Sequence, residues 1–355
     1  MAEKTDYKNL PRCPVPVIVL DTNVISNIAK WKMGKKLDQV TLHRAETLFQ
    51  CLWGLVRAKK IICPRIHISQ VEYRLDSRID ESCEDVVIAL SQGISFRGSQ
   101  EVEDSQIWLA MKAYVEHACS VDYSKEWPLM FRRDPIKQLL DSRPFVVRFS
   151  SAKALGSNEQ IRERKEDLKD ELVEIKEADS NRTPSFEEKL EEEYDGYIRG
   201  ILGLGDKPVE KHLKGEDITF EDKMASLRLG IPLAYWNRLG GKPDGIRGLL
   251  QFYGSDYLRS VPIVEITAKL WAALAVYLKN AKPKQSDAND IRMIATVLPY
   301  ADLLVIDTTM TDLVRDKLHL HAEYNVKIYK IREFDGLLTE LHRIEQTESP
   351  LKESL

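Results

Sequence analysis

The amino-acid sequence predicts an α/β protein with a central parallel sheet, interrupted by a mostly helical insertion. Three observations predict it. Val17-Ile-Val-Leu20 and Leu303-Leu-Val-Ile306 are unbroken apolar runs of strand length, the pattern of strands buried on both faces. Each run is followed at once by Asp-Thr, short polar residues that start helices. Between about Tyr123 and Tyr257 the character changes to charge-rich helical stretches separated by Gly and Pro. The expected organisation is a split α/β domain, 1–122 and 258–340, around a helical insertion, 123–257, with a C-terminal tail, 341–355.

Composition narrows the class. The chain has 355 residues, 43% hydrophobic, which suits two domains or one with a large insertion. The net charge of −4 excludes a globally basic nucleic-acid binder, so any such surface must be a local patch. Five cysteines (Cys13, Cys51, Cys63, Cys83, Cys119) form no C-x-x-C, and an odd number closes no disulfide set. They read as buried thiols in a reducing cytosol. The polar N-terminus lacks a signal core, and no apolar run reaches membrane-spanning length. A cytoplasmic protein with no membrane partner is expected.

The elements follow in order. After strand Val17–Leu20, Ile25–Met33 reads as a helix ending near Gly34. Its tail, Lys30-Trp31-Lys32-Met33-Gly34-Lys35-Lys36, is either a solvated helix end or a phosphate-contacting patch with an aromatic for a base. Thr41–Ala58 has apolar residues at helical spacing, and Ile61–Cys63 is a short strand stopped by Pro64. Ser69 and Glu72 match a capping box at the head of the next helix. Asp85–Leu90 and Glu101–Val115 read as helical, with Ile94–Phe96 a brief strand. Within the insertion, Arg132 and Arg133 sit in a turn-bounded segment. Pro144–Phe149 is extended, Asn158–Asp179 and Glu187–Arg199 are charged helices, Gly200–Gly215 is a loop, and Phe220–Leu229 is a helix ended by Gly230. Leu239–Gly245 is a loop whose glycines do not match a phosphate-binding motif. Beyond it, Ile263–Leu278 reads as an apolar helix with Trp271, Leu274 and Leu278 on one face. A helix capped by Ser286 then carries Asp287 and Asp290 on one face. Strand Leu303–Ile306, helix Met310–Lys317, strand Val326–Tyr329 and helix Asp335–Arg343 complete the order.

Asp21, Glu72, Asp290 and Asp307 share a placement, each at a strand's carboxyl end or in a helix's first turn. In a parallel sheet those positions lie on one edge, where ligands bind. A carboxylate there is a cap or a site residue. Four together repel unless a cation enters, and oxygen-only ligands suit Mg²⁺ or Mn²⁺. Asp287 and Asp302 are further acids expected nearby, and His319-x-His321 is expected at the surface.

On these residues the chain resembles the PIN-domain family of metal-dependent nucleases. The resemblance rests on Val-Ile-Val-Leu-Asp21-Thr22-Asn23, Ile-Ser-Gln-Val-Glu72, Asp287-Ala-Asn-Asp290-Ile-Arg-Met-Ile-Ala and Leu-Leu-Val-Ile-Asp307. It covers roughly 14–120 and 260–335. It implies a PIN-like α/β/α sandwich and metal-dependent phosphodiester hydrolysis, usually of RNA. By resemblance, Asp21, Glu72, Asp290 and Asp307 form the acidic quartet that holds Mg²⁺ or Mn²⁺, and Asn23 orients the first carboxylate or the water; Asp287 and Asp302 are additional acids, each either a ligand to a second metal or a cap. Two departures stand out. The second and third acids lie 290 − 72 = 218 residues apart, which a helical insertion explains, and the hydroxyls Thr308 and Thr309 follow Asp307 rather than precede it. Lys32, Lys35, Lys36, Arg132 and Arg133 are the candidate nucleic-acid contacts. RNA is favoured over DNA as the partner. A protein partner on the insertion and a homodimer stay open. The rival readings are a non-catalytic PIN-like scaffold and a toxin-like nuclease controlled by a partner.

Overall fold

A computed structural model describes residue 7 and residues 11–73, 78–123, 126–140, 184–213, 220–278 and 285–348. The expected extended segment Pro144–Phe149 and charged helix Asn158–Asp179 lie outside the described residues, as does the tail beyond Glu348. In chain order the elements are β1 (Ile18–Leu20), α1 (Thr22–Lys32), α2 (Gln39–Arg57), α3 (His67–Tyr73), α4 (Asp80–Ser91), α5 (Ser99–Val115) and α6 (Pro135–Leu140). Then come α7 (Phe186–Leu213), α8 (Phe220–Arg238), α9 (Ile246–Tyr253), α10 (Asp256–Arg259), α11 (Pro262–Tyr277) and α12 (Gln285–Val297). The last are β2 (Leu303–Ile306), α13 (Thr308–Thr311), a π-helical turn (Asp312–Lys317), α14 (Leu320–Glu323), β3 (Lys327–Lys330) and α15 (Phe334–Gln346).

The sheet is parallel, in the order β1-β2-β3, with Leu20 level with Val305 and Ile306 level with Lys330. The expected strand Ile61–Cys63 is reduced to one parallel bridge, Val17 to Ile62. Pro64 lacks the N–H that would continue the ladder. Ile94–Phe96 is likewise reduced to bridges, from Ser95 to Arg65 and from Phe96 to Phe131. Ile18, Leu20, Leu303 and Val305 share a core with α1, α2, α4 and α15. The alternating residues Val19, Leu304 and Ile306 are equally buried. Burial on both faces is what the continuous apolar runs encode, and each such side chain contributes about 1.5–3 kcal/mol relative to exposure.

The chain divides into two compact units. One takes Met1–Asp6, Ser99–Tyr123 and Arg182–Asn280; the other takes Tyr7–Gly98, Ser124–Asn181 and Ala281–Leu355. The helical unit thus differs from the expected 123–257: it takes in α5 and α11 and leaves 124–181 to the sheet unit. Packing explains this: α11 packs on α7 and α5, and α8 packs on α7 and α5. The buried Gln106 of α5 also accepts the Ile263 amide at the start of α11, at 2.9 Å. At the other end, Leu341 and Ile344 of α15 pack into the sheet unit's core, so the domain continues past the expected limit at 340.

Several helix limits differ from expectation. The chain is helical through the expected Gly200–Gly215 loop as far as Leu213, and α8 continues through Gly230 and Pro232. Interhelical packing outweighs the roughly 0.5–1 kcal/mol that a mid-helix glycine costs. On α11 the deeply buried residues include Ile263, Ile266, Leu270 and Ala273, whereas Trp271, Leu274 and Leu278 are half-buried. Ser286 lies inside α12, after Gln285, and is not its cap. Ser69 is a buried third residue of α3, so it does not cap that helix either. A capping box forms instead at the head of α7, where Ser185 and Glu188 exchange side chain-to-amide bonds of 2.8 and 3.2 Å. Ser185→Ala is expected to cost about 1 kcal/mol, read as a lowered melting temperature.

All five cysteines are free. Cys13, Cys63 and Cys83 are buried as expected, but Cys51 is half-buried and Cys119 exposed. Among the described residues no helix is long and apolar enough to cross a membrane.

Candidate active site

Asp21 and Asp307 end adjacent parallel strands. The Asp21 amide donates to the Val305 carbonyl at 2.9 Å, which extends the ladder by one residue. The register sets Asp21 level with Ile306, so Asp307 lies one residue further along the same edge. Both residues turn the chain from strand to helix with extended backbone (ψ 152° and 169°), and both cap the helix that follows. Asp21 accepts the Asn23 amide at 3.3 Å and the Asn23 side-chain amide at 3.4 Å. Asp307 accepts the Thr309 and Met310 amides at 2.6 and 3.1 Å, both through Oδ1. Asp21 is 3% exposed and Asp307 half-buried. Asp-Thr-Asn and Asp-Thr-Thr are therefore two copies of one strand-to-helix device, side by side.

The other acids come from helices. Asp287 is buried in the first turn of α12, and Asp290 is half-buried one turn later. Beyond Asp290, Ile291, Ile294, Ala295 and Leu298 are buried and anchor the helix. The α12 helix packs on α3, and α3 packs on α1, the helix that Asp21 caps. Glu72 falls in the last turn of α3, not at its head, and its side chain lies outside the described residues. Among the described residues no three Asp, Glu, His or Cys side chains gather closely enough to hold a metal ion. Asp21 and Asp307 share an edge, and Asp287 and Asp290 share a helix, but these pairs do not close into a ligand set among the described residues.

Asp302 is not at this edge. It precedes β2, at the opposite end of the strand from Asp307, roughly 16 Å away at about 3.3 Å per residue. Its carboxylate accepts the Val17 amide at 2.8 Å and an Arg12 bond at 3.4 Å, so it pins the entry of β1 to β2. Burial raises its pKa, against the opposing pull of the Val17 amide and the Arg12 charge.

The three lysines among the expected basic contacts follow α1 away from Asp21. Lys32, Lys35 and Lys36 are at or beyond the far end of α1, about 16 Å along an 11-residue helix. Lys32 lies over the Phe49 ring at 4.6 Å, and Lys35 donates to the Arg78 carbonyl at 2.8 Å. Trp31 is half-buried against Phe49 at 5.7 Å and packs on the core, which removes it as a stacking platform. Arg132 and Arg133 are exposed in a turn whose Arg132 amide bonds the Ser95 carbonyl at 3.0 Å. His319 is exposed and His321 half-buried.

Sequence reading passed over Arg332. It follows β3 at the same carboxyl edge, and its Nη2 donates to Thr308 Oγ1 at 2.6 Å, one residue from Asp307. The strand-end rule applied to Val-Lys-Ile-Tyr-Lys-Ile-Arg332 would have found it.

Compared with protein-family models, curated proteins and solved structures, the chain matches none.

Proposed function

We propose that this chain is a metal-dependent nuclease with a PIN-like α/β/α domain, acting on single-stranded RNA. One observation carries the reading: two Asp-Thr strand ends, Asp21 and Asp307, lie side by side at the carboxyl edge of a parallel sheet. The Asp287/Asp290 helix packs on α3, which carries Glu72. In this reading Asp21, Asp290, Asp307 and Glu72 hold Mg²⁺ or Mn²⁺, with Asp287 beside them. A divalent ion held by these carboxylates would supply Lewis acidity at the phosphate and a more acidic water.

The chain's own residues supply the rest. The two Asn23 bonds fix the Asp21 carboxylate, and the Thr309 and Met310 amides fix Asp307 through one oxygen. Carboxylates held this way are pre-positioned rather than recruited, which lowers the cost of organising a site. Half-buried Asp290 stands on a helix anchored in the core by Ile291, Ile294 and Ala295.

The test is cleavage of end-labelled single-stranded RNA and DNA with Mn²⁺, with Mg²⁺ and with EDTA. Metal-dependent cutting, reduced at least tenfold by Asp290→Asn, is expected. A second reading draws on the same caps. Asp21 and Asp307 each make bonds that a purely structural cap would make, and such caps suit a non-catalytic scaffold. If neither polymer is cut and Asp290→Asn leaves metal binding unchanged in calorimetry, the scaffold reading replaces the nuclease.

A further inference from the structure

We infer that Arg44 and Arg332 form a phosphate-contacting site that leads a polynucleotide strand along the sheet edge to Asp307. The inference rests on the nuclease reading and names the residues that hold its substrate's backbone. Four observations converge. Arg332 spends one of its five N–H donors on Thr308, adjacent to Asp307, and is otherwise exposed. Arg44 reaches the same segment from α2, with its guanidinium 5.7 Å from the Phe334 ring, two residues beyond Arg332. Beside Arg44 lies a cavity of about 60 Å³, lined in part by Val24, Asn27, Thr41, Arg44 and Ile331, the residue before Arg332. Val24 and Asn27 belong to the first turns of α1, the helix that Asp21 caps.

The fourth observation is charge balance. Other cations around β3 are matched: Arg315 with Glu333, Lys327 and Arg343 with Glu340, and Lys330 with Asp312. Neither Arg44 nor Arg332 contacts a carboxylate among the described residues. Two unmatched guanidiniums beside an acidic edge suit a ligand that brings its own negative charge. The planar fork of arginine fits phosphate oxygens two at a time. Asn27 and Thr41 add neutral hydrogen-bonding groups beside Arg44. A strand held here passes Asp307 without any contact from the lysines at the far end of α1.

The experiment is fluorescence anisotropy with a labelled single-stranded RNA and its DNA counterpart, titrated across a salt series in Mg²⁺. The parent is an Asp21→Asn chain, which slows cutting enough for binding to be read at equilibrium. Each phosphate contact on a single strand contributes about 0.7 to the slope of log affinity against log salt. Arg44→Gln and Arg332→Gln are each expected to flatten the slope by about 0.7 and weaken binding roughly fivefold at 0.1 M salt. The double variant should lose about 1.4 in slope. Arg44→Lys keeps the charge and should keep most of the slope, which separates a phosphate contact from loss of packing. Lys112→Gln, an equal charge change on α5, should leave the slope intact. Slopes unchanged in the arginine variants, or flattened equally by Lys112→Gln, would overturn the inference while the nuclease reading stands. Failure of the parent to bind either polymer at low salt would overturn both.

Discussion

Asp21→Asn and Asp307→Asn are each expected to lower phosphodiester cleavage by a factor of about 10²–10³, or about 3–4 kcal/mol in barrier, while leaving the fold intact. The separation of those two outcomes comes from how these residues are built in. Both aspartates cap helices through a side-chain oxygen. Asparagine is as good a cap as aspartate, because its amide oxygen accepts the same N–H bonds. It lacks the charge that a divalent cation needs. Alanine would remove both roles at once, at about 1 kcal/mol for the lost cap, and could not tell a dead enzyme from a weakened one. The measurement is single-turnover cleavage beside a thermal melt. Unchanged cleavage by both asparagine variants in saturating Mg²⁺ would show that the two carboxylates are caps alone.

The second large effect concerns pH. Glu126 is 2% exposed, bonded to the Tyr300 hydroxyl, and its Oε1 has no hydrogen-bond partner among the described residues. Burial pushes its pKa up from 4.5 to about 8, against a smaller downward pull from Tyr300. Between those values the folded chain holds a proton that the unfolded chain has released. Stability therefore falls as pH rises through the window from about 4.5 to about 8. The slope approaches ~1.4 kcal/mol per pH unit, up to about 5 kcal/mol over the whole window. Glu126→Gln stays neutral throughout and keeps an oxygen for Tyr300. Denaturation curves from pH 5 to pH 9 should show the wild-type chain losing stability as pH rises and the glutamine variant losing far less. The variant should be the more stable of the two above pH 8. Parallel pH profiles would refute this account of Glu126.

What the sequence disclosed follows from which signals are local. Val17–Leu20 and Leu303–Ile306 were legible because burial on both faces leaves a continuous apolar, β-branched run that stops at a helix-starting Asp-Thr. Asp21 and Asp307 were legible because a cap must stand at the first residue after the strand. Ser69-x-x-Glu72 misled because a four-residue pattern does not fix where a helix begins; His67 and Ile68 extend α3 past it. Gly200, Gly230 and Pro232 misled for the opposite reason, since packing between α7, α8 and α11 overrides local breakers. The Arg44–Arg332 pair had no local signature. Its members are 288 residues apart and are brought to one region only because the segment after β3, with Ile331 and Phe334, packs against α1 and α2.

The sheet's connectivity also has a consequence for biosynthesis. Ile18 pairs with Leu303, so 285 residues must be synthesised before β1 meets β2. At about 5–20 residues per second, that wait is roughly 15–60 s. During it the nascent chain carries Val17–Leu20 without β2, an apolar run open to mispairing. Chaperone demand on the ribosome should therefore track the speed at which the helical unit is translated, and slow codons within 182–280 should lower the yield of folded protein although they alter no residue.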